Sequence, residues 1–184
     1  QRMKLHLGSG KRYLNGYVHV DLAEFDHIDH NQSIDDLSNF KDNSVDEIYA
    51  SHVFEYFDVD HAKKVLNEWK RVLKEEGIIR LAVPDLDALI KVYSSTGEIK
   101  NILGPLFGKW EITKNNYHYH KVVYDEKLLT SLLEEAGFKD IKRWDWREVF
   151  KENKDYDDHS QAYFPHMDKE NGIHVSLNLQ GVKK

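Results

Sequence analysis

The pattern of apolar and polar positions predicts four short strands in the first half of the chain. The segments are 4–7, 17–21, 45–50 and 78–83. The first two alternate between apolar and polar residues, and the last two are rich in β-branched or aromatic residues. The first stops at a glycine turn and the last stops at Pro84, which cannot continue a ladder of hydrogen bonds. The residues between these strands decide how they can be connected.

A helix with one apolar face is predicted between the third and fourth strands. After the acidic turn at 58–60, apolar residues recur from Ala62 to Leu73 with the 3.6-residue period of a helix. Gly77 stands where a glycine is expected to end such a helix. A strand, a helix and a strand within 45–83 form a βαβ unit, which implies parallel strands.

Two more helices and two more strands are predicted from the same kinds of pattern. A shorter helix is predicted to begin at Asp85, and another, with leucines on one face, after Asp125 and up to Gly137. Strands are predicted over 140–146 and 173–179. The remaining segments, which are polar, aromatic and irregular and which we expect to form loops on the substrate side, are 94–120 and 147–172.

Length and composition are those of one globular domain spanning 1–184. The chain has 40 % hydrophobic and 32 % charged residues, which is enough apolar mass for a core. The pattern therefore predicts an α/β fold with a mostly parallel sheet.

Charge and residue usage narrow the function classes. A net charge of −6 argues against a nucleic-acid partner, because binding phosphates needs a basic face. No apolar run approaches the roughly 20 residues of a membrane helix, so no membrane partner is expected. The chain has no cysteine, which excludes thiol chemistry and fits a cytoplasmic location. Its eleven histidines are the unusual feature, since histidine titrates near neutral pH and binds metals.

A glycine turn and an acidic residue indicate where a ligand binds. Gly8, Ser9 and Gly10 follow the first strand, and Asp21 ends the second, where an acid can accept hydrogen bonds from a ribose. A dinucleotide fingerprint needs a third glycine at position 13, where this chain has Tyr13, and its acid about 20 residues on, so NAD or FAD fits less well. Only 11–16 separate the turn from the second strand, which predicts a shortened first crossover.

These residues resemble the small class I S-adenosylmethionine-dependent methyltransferases. The likeness lies in LHLGSG (5–10), YVHVD (17–21), DDLSNFKDNSVDEIYASHVFEYF (35–57), KEEGIIRLAVPD (74–85) and HKVVYDEKLLTSLLEEAGF (120–138), in the family's order. The resemblance implies a Rossmann-like, doubly wound sheet with helices on both faces. It also implies S-adenosyl-L-methionine as the cofactor.

The same resemblance implies roles for particular residues. Gly8 and Gly10 would lie under the methionine part of the cofactor, Asp21 would bind its ribose, and Asp36 would reach the adenine amino group. Other residues of these segments that would line the cofactor are Ser9, Leu22, Leu37, Ser51 and His52.

Two histidines are candidates for a catalytic base. His118 and His120 lie in a predicted loop above the sheet, where a base for the acceptor is needed. The alternative is that they are hydrogen-bonded packing residues. A metal site that joins them to 157–159 is a further possibility, although we expect no metal. The segment 160–178 is either a cover over the substrate or a packed connection.

The leading hypothesis is an enzyme that transfers a methyl group to oxygen or nitrogen of a small-molecule or sugar-like acceptor. The alternative is a regulatory or scaffold protein that binds S-adenosylmethionine or S-adenosylhomocysteine without turnover. The sequence leaves the acceptor and the oligomeric state open.

Overall fold

The computed structural model describes residues 2–184. Its strands in chain order are β1 (Lys4–Leu7), β2 (Val18–Asp21), β3 (His30–Asn31), β4 (Val45–Ser51), β5 (Leu73–Pro84), β6 (Trp110–Thr113), β7 (Asn116–His118), β8 (Phe138–Arg143), β9 (Tyr163–Phe164), β10 (Ile173–His174) and β11 (Ser176–Lys183). The helices are α1 (Val59–Val72), α2 (Leu86–Thr96), α3 (Lys100–Phe107), α4 (Glu126–Glu135) and α5 (Trp146–Val149). Short 3₁₀ helices cover Phe54–Tyr56 and His159–Gln161.

A seven-stranded sheet organises the molecule. Its order is β3-β2-β1-β4-β5-β11-β8. The pairs from β3 to β5 are all parallel, and only β11 runs antiparallel to its two neighbours. The predicted α/β class and mostly parallel sheet are confirmed. No helix joins β1 to β2, so the shortened first crossover is confirmed as well.

The three predicted helices, α1, α2 and α4, begin where the sequence predicted them, because an aspartate caps each one. The side chains of Asp58, Asp85 and Asp125 accept hydrogen bonds from main-chain amides in the first turns of α1, α2 and α4. Such caps satisfy amides that have no partner inside the helix. Gly137 follows α4 with a φ of 98°, a left-handed conformation that glycine adopts easily.

The two faces of the sheet are covered unequally. One core contains the apolar faces of α1 and α4 against β1, β4 and β5. The other face carries the short α5 and a group of mostly aromatic side chains from the strands and from irregular segments. The buried members of this second core are Leu14, Tyr49, Ala82, Trp144 and Phe150. Helices do lie on both faces, but the missing first crossover helix leaves the second face to aromatic packing.

Some boundaries differ from the prediction. The helix α1 ends at Val72, and Gly77 lies inside β5 instead of ending the helix. The chain passes directly into β5 because Leu73 is extended and pairs with Val45. β8 starts earlier than predicted, at Phe138, and the last strand continues to Lys183.

The two predicted loops are not alike. The segment 94–120 was expected to be irregular, but it contains α3 and the β6–β7 hairpin. The two strands of the hairpin are short, so the alternation of apolar residues along them is too weak a signal to predict them. The segment 147–172 has only short elements. Among the described residues, no helix is long and apolar enough to cross a membrane.

Replacing Trp69 by alanine should destabilise the fold strongly. The indole is fully buried, and its Nε1 donates a hydrogen bond to the carbonyl of Ile34 at 2.8 Å. Trp69→Ala should lower the free energy of unfolding by about 3–5 kcal/mol, measured by urea denaturation. Lys64→Ala, at an exposed position of the same helix, is the control and should change it by less than about 0.5 kcal/mol. Equal effects of the two changes would contradict the packing described here.

Candidate functional site

The carboxyl ends of the parallel strands open into one large cavity. Its volume is about 830 Å³, and its walls come from the turns after β1, β2 and β4 on one side and from α3 and the β6–β7 hairpin on the other. Ligands of open α/β sheets bind at this edge, because the loops there converge.

The glycine turn after β1 forms the floor of the cavity. Gly8 and Gly10 have φ values of 73° and 56°, which are unfavourable for other residues. A Cβ atom on Gly8 would also lie 2.5 Å from Cγ1 of Val53, the residue that follows His52. A side chain at position 8 is therefore excluded by both backbone conformation and contact. The turn can bring its backbone close to a ligand.

Asp21 joins this turn to the end of β2. Its side chain is nearly buried, with one oxygen accepting from the Gly10 amide and the other from the Ala23 amide, both at 2.7 Å. A carboxylate has about four acceptor positions, so two stay available for a ligand. Leu22 and Phe25 line the cavity beside it, although each keeps about half of its surface exposed.

The acidic turn after β3 contributes a different residue from the one predicted. The cavity is lined by Ser33, Ile34 and Asp35, whereas Asp36 is exposed and accepts a hydrogen bond from the Ser38 amide. Leu37 is buried in the main core instead of the cavity. The assignment of Asp36 and Leu37 to the cavity is therefore corrected to Asp35. Adjacent residues of a turn face different directions, and the sequence alone could not choose between them.

Ser51 and His52 end β4 at the cavity wall, as the sequence predicted for this segment. His52 has a φ of 55°, and its Nε2 lies 2.8 Å from the hydroxyl of Ser176. Burial lowers the pKa of His52 to about 3, so the imidazole is neutral.

The two predicted catalytic histidines occupy different environments. Both line the cavity, but His118 is exposed at the end of β7 and stacks edge-on against Trp110. His120 is enclosed: its Nδ1 lies 2.9 Å from the carbonyl of Pro105, and its ring packs against Tyr56. Burial lowers the pKa of His120, against an opposing contribution from that hydrogen bond. Of the two histidines, His120 is the one whose ring is held in a defined orientation, by its hydrogen bond and its packing.

Glu55 is a site residue that the sequence analysis missed. Its side chain is fully buried at the cavity wall, and neither carboxyl oxygen has a hydrogen-bond partner among the described residues. Its Oε2 lies 3.8 Å from Nδ1 of His52 and 3.6 Å from Nε2 of His120. Burial raises the pKa of Glu55 to about 8. The available signal was a single acid among the aromatic residues of HVFEYF.

The residues considered for a metal site do not converge. Asp158 is turned into the second core, where the hydroxyls of Tyr49 and Tyr156 and the Ser160 amide donate to it. Within residues 2–184, no group of three or more histidine, aspartate or glutamate side chains is arranged to hold a metal ion. The segment 160–178 supplies Ala162 and Val175 to the cavity wall, and the 3₁₀ helix at its start contacts β11.

Comparison with known proteins identifies a related domain and a shared fold. Residues 16–81 match the family model of a methyltransferase domain. No curated protein matches the sequence significantly. The fold is similar to that of an S-adenosylmethionine-dependent methyltransferase from Archaeoglobus fulgidus, with a TM-score of 0.57, 17 % identity, and coverage of 99 % of this chain and 86 % of that one.

Two further structures are similar over the whole chain. One, from Thermotoga maritima, is described as a possible histamine N-methyltransferase, with a TM-score of 0.58, 16 % identity, and coverage of 100 % and 83 %. The other is 1,6-didemethyltoxoflavin-N1-methyltransferase from Burkholderia thailandensis with bound S-adenosylhomocysteine, with a TM-score of 0.56, 12 % identity, and coverage of 100 % and 72 %.

The chain thus has the class I Rossmann-like methyltransferase fold, and residues 16–81, which run from just before β2 into β5, carry the methyltransferase-domain match. The resemblance inferred from the sequence is confirmed. S-adenosylmethionine is the cofactor that this domain and fold indicate.

The buried Glu55 carboxyl should make stability fall with rising pH. Its pKa is about 8 in the folded chain and about 4.5 unfolded, so the folded state binds more protons between these values. The contribution is complete below pH 4.5 and is lost as the pH rises through 8. Glu55→Gln removes this dependence and should raise the free energy of unfolding relative to wild type by about 1–2 kcal/mol more at pH 8 than at pH 6.5, measured in urea. Glu134→Gln, on the exposed side of α4, should show no such difference.

Proposed function

We propose that the protein is an enzyme that transfers the methyl group of S-adenosylmethionine to oxygen or nitrogen of a small-molecule or sugar-like acceptor. The observation that carries this proposal is the buried Asp21 carboxylate beside the glycine turn, facing a cavity large enough for two ligands. The methyltransferase-domain match over residues 16–81, which include Asp21, supports it. A cytoplasmic location, inferred from the absence of cysteine, belongs to the same proposal.

The residues of the cavity fit the cofactor's chemistry. Asp21 has acceptor positions free for two ribose hydroxyls, and Gly8 and Gly10 let the turn approach the methionine part closely. The hydroxyl of Ser9 is buried without a hydrogen-bond partner in the described part of the chain and can bond a polar group there. Asp35, between Ile34 and the exposed Asp36, takes the role of binding the adenine amino group.

The chain's own residues then provide alignment and shielding. When bound, S-adenosylmethionine supplies a methyl group activated by a positively charged sulfur. Trp110 packs edge-on against Tyr56, and together with Ile112 of the hairpin they line the cavity as an apolar wall that excludes water from the acceptor. Excluding water and aligning the reacting atoms is the main contribution that a protein can make to such a displacement.

A small acceptor fits the remaining space better than a polymer does. The part of the cavity beyond the glycine turn is bounded by His118, His120 and the aromatic wall. A volume of about 830 Å³ for both ligands lies in the range of small-molecule sites. The net charge of −6 gives no support for a nucleic-acid acceptor.

Cofactor binding should depend on Asp21 and Asp35 but not on Asp36. Asp21→Ala removes the ribose acceptor and should weaken binding of S-adenosylmethionine and S-adenosylhomocysteine by about 10- to 100-fold, measured by calorimetry. Asp35→Ala should weaken both less, and Asp36→Ala is the matched control with unchanged affinity. If NADH binds and neither sulfur ligand does below millimolar concentration, the proposed function is wrong.

Turnover should depend on His120. With labelled S-adenosylmethionine and a panel of small amines, phenols and sugars, the wild type should release S-adenosylhomocysteine. His120→Ala should keep cofactor affinity and lose turnover by about 100-fold or more, because a base typically contributes 10²–10⁴ in rate. Cofactor binding with no turnover on any acceptor of the panel would favour the alternative of a non-catalytic binding protein. Equal turnover of wild type and His120→Ala would remove His120 from the mechanism.

A further inference from the structure

We propose that Glu55 is the positioning residue that makes His120 a base: the two share the proton that the acceptor loses. This inference rests on the proposed function and deepens it at the same site. It assigns a role to a fully buried carboxyl that the cofactor residues do not use.

The first observation is the isolation of the carboxyl. Glu55 is 0 % exposed, and both of its oxygens lack a hydrogen-bond partner within residues 2–184. Burying a polar group without a partner costs free energy, so such a group in a folded protein usually has a function or an unseen partner. The hydrogen bond from the Lys121 amide to the Glu55 carbonyl, at 2.9 Å, holds the main chain in place.

The proton on His52 can be located from its neighbours. The hydroxyl of Ser176 donates its single hydrogen to Oδ1 of Asn178 at 2.7 Å, so it can only accept from His52. Nε2 of His52 therefore carries the proton and donates to Ser176 at 2.8 Å. Nδ1, which lies 3.8 Å from the Glu55 carboxyl, is left unprotonated in the neutral ring.

The proton on His120 can be located in the same way. Its Nδ1 lies 2.9 Å from the carbonyl oxygen of Pro105, which can only accept, so Nδ1 carries the proton. Nε2 is then the unprotonated atom, 3.6 Å from Glu55. Gly108 makes room for it, because a Cβ atom at that position would lie 2.3 Å from Nε2. His120 thus directs its basic nitrogen towards Glu55 and Gly108, two residues that line the cavity.

The Glu55 carboxyl and the two unprotonated nitrogens that face it, one from His52 and one from His120, together hold one proton or none. Below pH 8 the carboxyl is protonated, because burial raises its pKa to about 8. Above that pH it is ionised, and an added proton on His120 Nε2 is stabilised by the negative charge beside it. Glu55 therefore controls the basicity of His120 without touching the acceptor.

In the proposed step, the oxygen or nitrogen of the acceptor forms a bond to the methyl carbon. At the same time the bond between that carbon and sulfur breaks, and the electron pair of the broken bond stays on sulfur. The proton of the acceptor passes to His120 Nε2, where the Glu55 carboxylate balances the charge. Release of that proton to solvent with the product restores the starting state.

Other titratable groups surround this pair. Tyr56 and Tyr124 lie close enough for Glu55 to raise the pKa of each further, beyond the effect of burial. His159 packs edge-on against His52 and lowers its pKa and that of His120. The more distant charged groups around the same part of the cavity are Asp58, Asp158, Arg12 and Lys121.

The test is a histidine NMR titration of the full chain from pH 6 to 10, with the His120 signal assigned by its loss in His120→Ala. In the wild type this signal should shift with a midpoint near pH 8, reflecting the Glu55 proton. Glu55→Gln, which keeps the shape and removes the charge, should abolish the shift, and Glu134→Gln should keep it. A shift that persists in Glu55→Gln, or no shift in the wild type, would overturn the proposal.

Zinc provides a second arm of the experiment. If Zn²⁺ at stoichiometric concentration moves the His120 signal and Glu55→Gln abolishes that response, the carboxyl serves a cation and the proposal is wrong. We expect no response. With an acceptor in hand, turnover should rise with pH up to about 8 in the wild type and stay flat in Glu55→Gln. The titration needs neither cofactor nor acceptor, so its outcome is separate from that of the cofactor-binding test.

Discussion

The hydrogen bond from the Gly10 amide to the Asp21 carboxylate connects the parts of the molecule on which the site depends. It ties the turn after β1 to the end of β2, and the contact of Gly8 with Val53 brings the same turn against the segment after β4. Parallel strands direct all of their carboxyl ends to one edge, so these contacts close the floor of a single cavity. The Asp21 carboxylate can be buried because main-chain amides donate hydrogen bonds to it. It still has acceptor positions for a ligand.

The shortened first crossover explains how the two faces of the sheet differ. Without a helix between β1 and β2, the second face is covered by Leu14 and by aromatic residues near α5. A buried polar group also lies on that side, where Tyr49 and Tyr156 donate to Asp158. The segment 147–172 is therefore largely a structural cover of this face. The wall of the cavity opposite the glycine turn is built instead by α3 and the β6–β7 hairpin, within 94–120.

Much of the fold could be predicted, because strong local signals coincide with the elements they specify. The starts of α1, α2 and α4 at acidic residues and the apolar face of α1 were recognised from the sequence, as were β1, β2, β4 and β5. Gly77 misled the prediction, since a glycine after an amphipathic run usually ends a helix, whereas here the chain has already entered β5. The β6–β7 hairpin was missed because its short strands have only weak alternation.

For the site, the sequence by itself determined the residue types that lie along the strand ends: the glycine turn, the acid after β2 and the histidines near 52 and 120. Strand order and turn chemistry are local properties, and they leave a readable pattern. Only the tertiary structure decided which neighbour of a turn faces inward, as with Asp35 and Asp36. It also decided that Glu55 lies between His52 and His120, because residues 65 positions apart in sequence meet there only after α3 and the hairpin fold over the sheet edge. Burial and the direction of a side chain depend on the whole packing, so they are not encoded in any single segment.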